Sequence, residues 1–462
     1  MFKKKQEGVL LARVNFPIFV VKVISERHIL VAGGGGSSRT GVNNSIEIYE
    51  LTNCSKSKTC KAYRVAHHDT DRCAIMNGEV FQSGKYYLLA GGGMNGVCEI
   101  FKIKLCVINE KSNLNLNLSL SSSFSGHNKD EANCKQRKSD KLNNGNSSNF
   151  ANHQPKKDTD NSILQPSAND VKTVINSFKI ESISHFQADF KAKDGEESFL
   201  KVVRYNPVLR LIITGGSDGH VRVWKYPDSK KLYDIQAHKD EVDDIDINPS
   251  GTQIVSVSRD GHGYIWNTSD GSKFAELEYQ LPVIKNSTTP LKYNIRACRF
   301  GIVENNFSDI RLFTLMNPVV RSNPPNFSYI CKWNTNKYII EKINSIGPEI
   351  TSAMAITDDG RFVGVGTLSG SVEIYVAFSL QRVYRMDNSH KIFVTGLEFL
   401  KTCPETQLLT GDNDTSLISV SIDNHIVVHS IPKLTTIGFM SSIIAFLITM
   451  LAIYFLLDFL GL

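Results

Sequence analysis

Paired cysteines at metal-ligand spacing are missing from this sequence. The chain contains nine cysteines, an odd number at irregular positions, and no two of them are separated by two residues. A structural zinc site therefore has little support from the sequence. Free thiols in a reducing compartment are the simpler interpretation.

A secretory leader and a basic stripe are also missing. Residues 1–12, MFKKKQEGVLLA, have no long apolar run after the lysines, so no signal peptide is predicted. The 462 residues carry a net charge of +6, and their lysines and arginines are dispersed along the chain. This distribution gives no support to nucleic-acid binding. The length suits a large closed β architecture with accessory segments.

What the chain does contain is a repeated strand. Short runs of β-branched and aromatic residues are preceded by tight turns rich in Gly, Ser or Asp, and no long amphipathic helix pattern intervenes. Most gaps between the runs are near the period of four-stranded propeller blades. The seven runs are Ile46–Leu51, Val97–Ile103, Val221–Tyr226, Gly263–Asn267, Tyr329–Asn334, Val372–Val376 and Ile426–Ser430.

These runs predict an all-β fold, a seven-bladed WD-repeat-like β-propeller over residues 1–432. A closed ring leaves no free strand edges, and the apolar segment Gly8–Val14 is predicted to close it as the fourth strand of the last blade. Between 107 and 176 the chain is rich in Ser, Asn and Lys, a composition that cannot bury a core. We expect a disordered insertion between the third and fourth strands of blade two.

Blade four carries the clearest repeat, AHKDEVDDIDINPSGTQIVSVSRDGHGYIWN. This segment resembles a WD repeat, in which four residues form an internal hydrogen-bonded chain; they correspond to His238, Ser256, Asp260 and Trp266. A catalytic His–Ser–Asp set is the alternative, and it is disfavoured because a blade interior has no substrate cleft. Trp224 and Trp333 mark the equivalent positions of their own blades.

Near the C terminus, residues 437–457 contain no charge and no proline. About 20 apolar residues are enough to span a hydrocarbon core, so this stretch predicts one transmembrane helix rather than a buried core helix. Lys433 and the basic body place the propeller in the cytosol by the positive-inside tendency, which leaves 458–462 as a short lumenal tail.

The most informative local feature is the blade-one loop, Ala32–Ser45, AGGGGSSRTGVNNS. It is far longer than a plain hairpin turn. The four glycines suggest a phosphate-binding loop, but the Gly-Lys-Ser/Thr ending is absent and no helix follows. A floppy exposed loop is a second interpretation. A third is that convergent carbonyls and an Asn side chain hold a hard cation and thereby present Val42 as an exposed apolar contact.

The loop, the propeller and the C-terminal span together resemble the endoplasmic-reticulum exchange factors for the small GTPase of the COPII coat, the prolactin regulatory element-binding protein family. The most specific parts of the resemblance are GGGGSSRTGVNN and the last blade, SHKIFVTGLEFLK…SVSIDNHIVVHSIPK. The resemblance implies that the loop binds a potassium ion, contacts the GTPase and promotes release of its nucleotide, without covalent chemistry.

Carried onto this sequence, the resemblance assigns roles within the loop. Gly41 and Val42 would contact the GTPase, with Val42 as the apolar wedge, and Val42, Asn43 and Asn44 would form the active tip. Asn44 would be the side-chain ligand of potassium, and the backbone of Gly33, Gly34, Gly35 and Gly36 would curl round the ion. Asn43 departs from the family pattern, since some members have proline there, and its freer φ should loosen the loop.

Three other functions stay open on the residues alone. A tail-anchored scaffold would bind a partner without altering its nucleotide, and would be expected to have an ordinary blade-one turn. A DNA-binding regulator is disfavoured by the predicted anchor and the absent basic stripe. A propeller hydrolase would gather carboxylates or histidines at the central channel, and no such cluster is evident in the sequence. We therefore expect an exchange factor at the endoplasmic reticulum membrane.

Overall fold

The computed structural model describes residues 8–37, 41–54, 59–71, 73–107, 176–190, 197–282, 291–303, 305–320, 322–323, 325–433 and 439–461. Within these ranges the chain forms seven antiparallel four-stranded sheets. Each sheet is one blade, and the first strand of each blade packs against the first strand of the next around a closed ring. The predicted seven-bladed propeller is confirmed.

Blades one to three account for twelve strands. Blade one contains β2 (Ile18–Val23), β3 (His28–Gly33), β4 (Ser45–Cys54) and β5 (Thr59–Asp69). Blade two contains β6 (Ile75–Ser83), β7 (Tyr86–Gly93), β8 (Val97–Val107) and β9 (Asn176–Gln187). Blade three contains β10 (Leu200–Asn206), β11 (Leu211–Gly216), β12 (His220–Lys225) and β13 (Lys230–Gln236). The predicted insertion falls between β8 and β9, and its residues 108–175 lie outside the described part.

Blades four to six repeat the same order. Blade four contains β14 (Val242–Ile247), β15 (Gln253–Ser258), β16 (Gly263–Asn267) and β17 (Lys273–Glu276). Blade five contains β18 (Tyr293–Val303), β19 (Asn306–Pro318), β20 (Ser328–Asn334) and β21 (Ile339–Gly347). Blade six contains β22 (Thr351–Ile356), β23 (Phe362–Thr367), β24 (Val372–Val376) and β25 (Gln381–Met386).

Blade seven is built from both ends of the propeller sequence. Its strands are β26 (Val394–Phe399), β27 (Asn413–Ser421), β28 (His425–Pro432) and the N-terminal β1 (Val9–Arg13). β1 pairs antiparallel with β28, with Val9 opposite Val428 and Arg13 opposite His425. This is the closure predicted from the segment Gly8–Val14, and it removes two sheet edges at once.

Burial explains why these sequences form strands here. The second strands lie between two neighbouring blades, so all six residues of β3, β11 and β23 are buried. Such strands read as continuous apolar runs rather than alternating ones. The outer strand β13, in contrast, has no buried residue. Seven apolar clusters fill the described core, and each of them joins two adjacent blades.

Strand direction gives the propeller two distinct faces. The β3–β4, β5–β6 and β1–β2 connections lie at one end of the strands, here called the loop face. The first-to-second and third-to-fourth strand connections of every blade lie at the opposite end, here called the distal face. β28, the third strand of its blade, therefore runs from the loop face and ends at the distal face with Pro432.

Two helices accompany the strands. α1 (Pro404–Thr410) lies between β26 and β27; Pro404 suits its first turn, and Gly411, with φ 100°, ends it. α2 (Phe439–Phe459) follows the propeller. No helix in the described part meets the length and hydropathy of a membrane span. The transmembrane segment predicted at 437–457 therefore stays a prediction, and residues 437 and 438 lie outside the described ranges.

Candidate functional site

The blade-one loop joins β3 to β4 on the loop face. Its start is fixed by the neighbouring β1–β2 connection, where the Gly34 amide donates a hydrogen bond of 3.0 Å to the Pro17 carbonyl. Its end is fixed by the β5–β6 connection, where the Thr70 amide donates a bond of 2.9 Å to the Asn44 carbonyl. Residues 38–40 of the loop lie outside the described part. Both described stems of the loop are therefore ordered by backbone contacts.

Asn44 closes the loop with its side chain. The amide oxygen accepts a hydrogen bond of 2.9 Å from the Gly36 amide, and the amide nitrogen donates bonds of 3.0 Å to the Gly36 carbonyl and 2.9 Å to the Asp71 carbonyl. Asn44 is buried, so these bonds replace contacts with water. A side chain that both donates and accepts is required here, and Asn has that property.

Two of the four glycines are required by close contacts. A Cβ at Gly33 would lie 2.0 Å from the Pro17 carbonyl oxygen, and a Cβ at Gly34 would lie 2.2 Å from the Asn44 amide oxygen. Gly34 also has φ 141°, a region that essentially only glycine adopts. Gly35 and Gly36 are half-buried, and the Cβ position of Gly36 faces the flexible Met94 side chain. The glycine run thus lets the backbone approach the Asn44 amide.

Asp71, which accepts one of the Asn44 bonds, lies in a tight turn after β5. Its φ is 50°, in the left-handed region that Asp tolerates better than most residues. The turn is held by the Thr70 hydroxyl, which donates a bond of 2.7 Å to the Cys73 carbonyl. The sequence analysis did not predict the hydrogen bond between Asn44 and Asp71, because Asp71 lies 27 residues beyond Asn44 along the chain.

The predicted contact residues lie at the tip but differ in exposure. Gly41 and Asn43 are exposed, while Val42 is half-buried and packs against the apolar cluster shared by blades seven and one, which includes Leu11, Val14 and Phe16. The expectation that Val42 is an exposed residue is therefore corrected to a half-buried one. Part of its side chain faces solvent beside two exposed residues, so the tip offers a small apolar contact in a polar surround.

Two backbone oxygens lie beside the Asn44 side chain, and oxygen is the ligand atom that hard cations take. The carbonyls of Gly36 and Asp71 converge on the Asn44 amide nitrogen, and each retains a second lone pair. Gly33 and Gly34 allow the backbone to approach this point closely. In the described residues no group of three His, Cys, Asp or Glu side chains is placed to hold a metal ion, so any ion here would depend on carbonyl and amide oxygens.

The chain of hydrogen bonds predicted for blade four is confirmed. His238 Nε2 lies 2.8 Å from Ser256 Oγ, the Trp266 indole donates a bond of 2.8 Å to the same hydroxyl, and His238 Nδ1 lies 3.3 Å from Asp260. Burial opposes ionisation of Asp260, but hydrogen bonds from His238 and two backbone amides outweigh it and hold the pKa of Asp260 well below its usual range. The Ser256 hydroxyl is buried, which agrees with a structural role.

Blade seven contains a related chain that the sequence analysis missed. His390 Nε2 and His429 Nε2 lie 2.7 and 2.8 Å from Ser419 Oγ, and His390 Nδ1 lies 3.1 Å from Asp423. His429 occupies the place that Trp266 has in blade four. The signal was present in the matching spacing of SVSIDNHIVVH and SVSRDGHGYIW.

The central channel holds a second group that sequence reasoning missed. Ion pairs link the first strands of six blades, and they run in the order Glu398, Lys22, Glu79, Arg204, Asp244 and Arg299. Burial opposes ionisation of Asp244, yet Arg299 and Arg204 outweigh burial and lower its pKa. Carboxylates do gather at the channel, as a propeller hydrolase would need, but each of these three is paired with a cation that joins it to the next blade.

Comparison with known proteins gives one matching family model, two similar proteins and a similar solved structure. The WD domain, G-beta repeat model matches residues 192–225 and 229–267. The chain is 28% identical to the mouse (Mus musculus) guanine nucleotide-exchange factor SEC12 over 93% of its own length and 92% of that protein. It is 29% identical to the rat (Rattus norvegicus) guanine nucleotide-exchange factor SEC12 over the same shares of both chains.

Among solved structures, Raptor from Chaetomium thermophilum matches 93% of this chain and 29% of its own, with a TM-score of 0.55 and 12% identity. At that identity the likeness concerns the fold alone. The two SEC12 relatives carry the functional information, because they match 93% of this chain and 92% of their own. Over 93% of its length the chain is similar to guanine nucleotide-exchange factors named SEC12, which confirms the family resemblance indicated by its blade-one loop and last blade.

Proposed function

We propose that this protein is a guanine nucleotide-exchange factor that promotes GDP release from the small GTPase of the COPII coat and so starts vesicle coat assembly. The observation that carries the proposal is the blade-one loop, fixed on the loop face by Asn44, in a chain whose SEC12 relatives match it over 93% of its length. A scaffold without exchange activity would have no need of a long loop closed by a buried amide.

The mechanism needs binding alone. An exchange factor binds the nucleotide-free GTPase more tightly than the GDP-bound form, and this difference shifts the population towards release. The loop presents Gly41, Val42 and Asn43 at a tip whose stems are fixed by Asn44 and Pro17. A tip whose described stems are already fixed loses less conformational entropy on binding, so more of its contact energy is available to displace a GTPase segment.

Potassium belongs to the same proposal. A bound monovalent cation would neutralise the carbonyl dipoles that converge beside Asn44 and so add to the order of the loop. Asn44 and the backbone of Gly33 to Gly36 are the groups of this chain that would hold it. We expect exchange to be faster in potassium than in sodium at equal ionic strength, and the preference to disappear in Asn44→Ala. Equal rates of the unmodified protein in both salts would contradict the ion assignment.

We further propose that residues 437–457 anchor the chain in the endoplasmic reticulum membrane, with the propeller in the cytosol and 458–462 in the lumen. The support is the uncharged apolar sequence of the segment and the basic residues before it. Tethering raises the effective concentration of the factor for a GTPase that also binds the membrane.

The test of function is the release of a fluorescent GDP analogue from the COPII GTPase, with the full-length protein reconstituted in vesicles. We expect release to accelerate by about a hundredfold or more, equivalent to about 2.7 kcal/mol or more of barrier lowering. Release that is no faster than with empty vesicles, while the protein still binds the GTPase, would assign the scaffold function instead.

A further inference from the structure

Large apolar side chains protrude from the distal face. Val208 and Phe307 lie in or beside first-to-second strand connections, Phe378 lies in a third-to-fourth strand connection, and Leu408 lies on α1. Each of the four is between 65% and 76% exposed. They come from blades three, five, six and seven, so they are spread across the face rather than gathered in one blade. We propose that the distal face lies against the membrane surface, with these side chains among the lipid headgroups.

The path of the chain indicates that the bilayer covers this face. β28 ends at the distal face with Pro432, and α2 begins at Phe439. Seven residues can cover at most about 25 Å, so the start of α2 stays close to the distal face. The choice of the bilayer rests on the proposal that the C-terminal segment is the anchor. If it is, the anchor enters the membrane next to this face of the propeller.

The distal face carries exposed charges of both signs. Arg210, Lys230, Lys337 and Lys401 are exposed in or beside connections at this end, and none of them forms an ion pair with a described residue. Exposed carboxylates lie on the same face at Asp228, Asp270, Asp358, Glu405 and Asp412. Charge therefore adds little to the attraction for lipid, and the protruding apolar side chains supply most of the contact.

A cavity opens beside one of these side chains. It lies between blades five and six and has a volume of about 310 Å³. Its lining combines apolar side chains, among them Ile302, Phe313, Phe362, Val376 and Phe378, with the charged side chains of Asp309, Arg311, Lys332, Arg361 and Asp414. The Lys332 ammonium lies 5.2 Å from the centre of the Phe378 ring and holds the ring at the edge of this cavity. A lining of both kinds suits the headgroup region of a bilayer, where lipid carbons and charged groups lie side by side.

This orientation has a consequence for the exchange reaction. The first strands of the blades are about six residues long, so the loop face lies about 20 Å beyond the distal face. The blade-one loop then points away from the bilayer into the cytosol. The GTPase would bind the side of the propeller that faces away from the membrane.

The test uses tryptophan reporters in the full-length protein, reconstituted in vesicles of neutral and anionic phospholipid that carry bromine on their acyl chains near the headgroup. The three native tryptophans, Trp224, Trp266 and Trp333, are buried and give the background emission. Phe378→Trp adds a reporter on the distal face. Phe190→Trp is the matched control, because Phe190 is an exposed aromatic residue in the β9–β10 connection of the loop face.

We expect brominated lipid to remove a clear share of the emission added by Phe378→Trp, and none of the emission added by Phe190→Trp. Vesicle-bound protein with no quenching of the Phe378→Trp reporter would overturn the inference, leave the anchor standing and reassign the distal face to a protein partner. Quenching of the Phe190→Trp reporter alone would place the other face on the bilayer. Protein that fails to float with vesicles would overturn both the anchor and this inference.

Discussion

Asn44 shows how one side chain can fix both described stems of the blade-one loop. Its amide reaches both backbone groups of Gly36 and the carbonyl of Asp71. The sequence predicted the importance of Asn44 through the family resemblance, as a potassium ligand. The structure adds three hydrogen bonds that fix these stems, and one of them depends on a turn after β5 that local sequence does not reveal.

Two glycines with positive φ give a matched pair of substitutions. In Gly34→Ala the new Cβ would lie 2.2 Å from the Asn44 amide oxygen, so the hydrogen bonds of Asn44 must break and exchange should fall to near the rate without factor. Gly84 lies in the β6–β7 connection of the distal face; in Gly84→Ala the Cβ meets no atom within 4 Å, and only the φ of 61° is strained, at a cost of about 1–2 kcal/mol. We expect Gly84→Ala to keep its exchange activity. Equal loss in both variants would contradict the role of the Asn44 hydrogen bonds.

Val42 has its own matched control in Val208. Val42→Ala removes two half-buried methyl groups, so the free energy of unfolding should fall by only about 1 kcal/mol. If Val42 is a contact hot spot, exchange should slow by about tenfold or more. Val208→Ala makes the same chemical change on the distal face and should leave exchange unchanged. Rates of GDP release and urea unfolding of both variants check this; full activity of Val42→Ala would contradict the apolar contact.

The exposure of Val42 marks the limit of reading a site from sequence. The loop composition predicted an apolar residue on a polar tip, and that is what the structure has. Its partial burial depends on Leu11 and Val14, which reach blade one only because the N-terminal strand closes the ring. A contact made by ring closure leaves no local signal near residue 42.

At the scale of single elements, blade seven carries a buried titratable chain. Burial lowers the pKa of His429 to about 3, and the nearby His390 acts in the same direction. Burial also lowers the pKa of His390, although Asp423 opposes that shift. In the unfolded chain both histidines bind protons near pH 6.5. Below that pH the histidines are protonated in the unfolded state but not in the folded state. The free energy of unfolding therefore falls as the pH drops from about 6.5 towards 3.

For His429 the expected slope approaches about 1.4 kcal/mol per pH unit once the pH is well below 6.5. His429→Gln cannot take up that proton, so its free energy of unfolding should fall less steeply than that of the unmodified protein between pH 6.5 and 5. Urea unfolding of both proteins at several pH values measures the two slopes. Identical slopes would show that His429 is not the group that resists protonation in the fold.

β1 offers a prediction about closure. Leu11 points into the cluster between blades seven and one and is buried, while its neighbour Leu10 is partly exposed. Leu11→Ala should lower the free energy of unfolding by about 2–5 kcal/mol, and Leu10→Ala by about 0.5 kcal/mol or less. Equal small effects in chemical denaturation would mean that β1 contributes little to the ring.

The secondary-structure elements differ in how well the sequence predicted them. The third strands were predicted well, because β-branched runs after Gly- or Asp-rich turns have few alternatives. α1 was not predicted, since its seven residues begin with a proline inside a strand connection and are too few to show a helical period. The hydrogen-bonded chain of blade seven was missed because His429 stands where a WD repeat places tryptophan.

For the whole molecule, the number of blades followed from the period of the repeat, and closure followed from the need to remove sheet edges. The ion pairs of the central channel could not be predicted from the sequence. Lys22 and Glu398, for example, are 376 residues apart and meet only when blade seven closes against blade one. Pairs of this kind depend on the ring itself, which explains why a carboxylate cluster was not evident from the sequence.

The measurement that tests the account most directly is the affinity of the full-length protein for the COPII GTPase in two states, nucleotide-free and GDP-bound, in potassium buffer. The account predicts that the nucleotide-free form binds about a hundredfold more tightly or better, a difference of about 2.7 kcal/mol. It also predicts that Gly34→Ala abolishes this preference. Equal affinity for the two forms would contradict the exchange mechanism, because a partner that binds both states equally cannot shift their equilibrium.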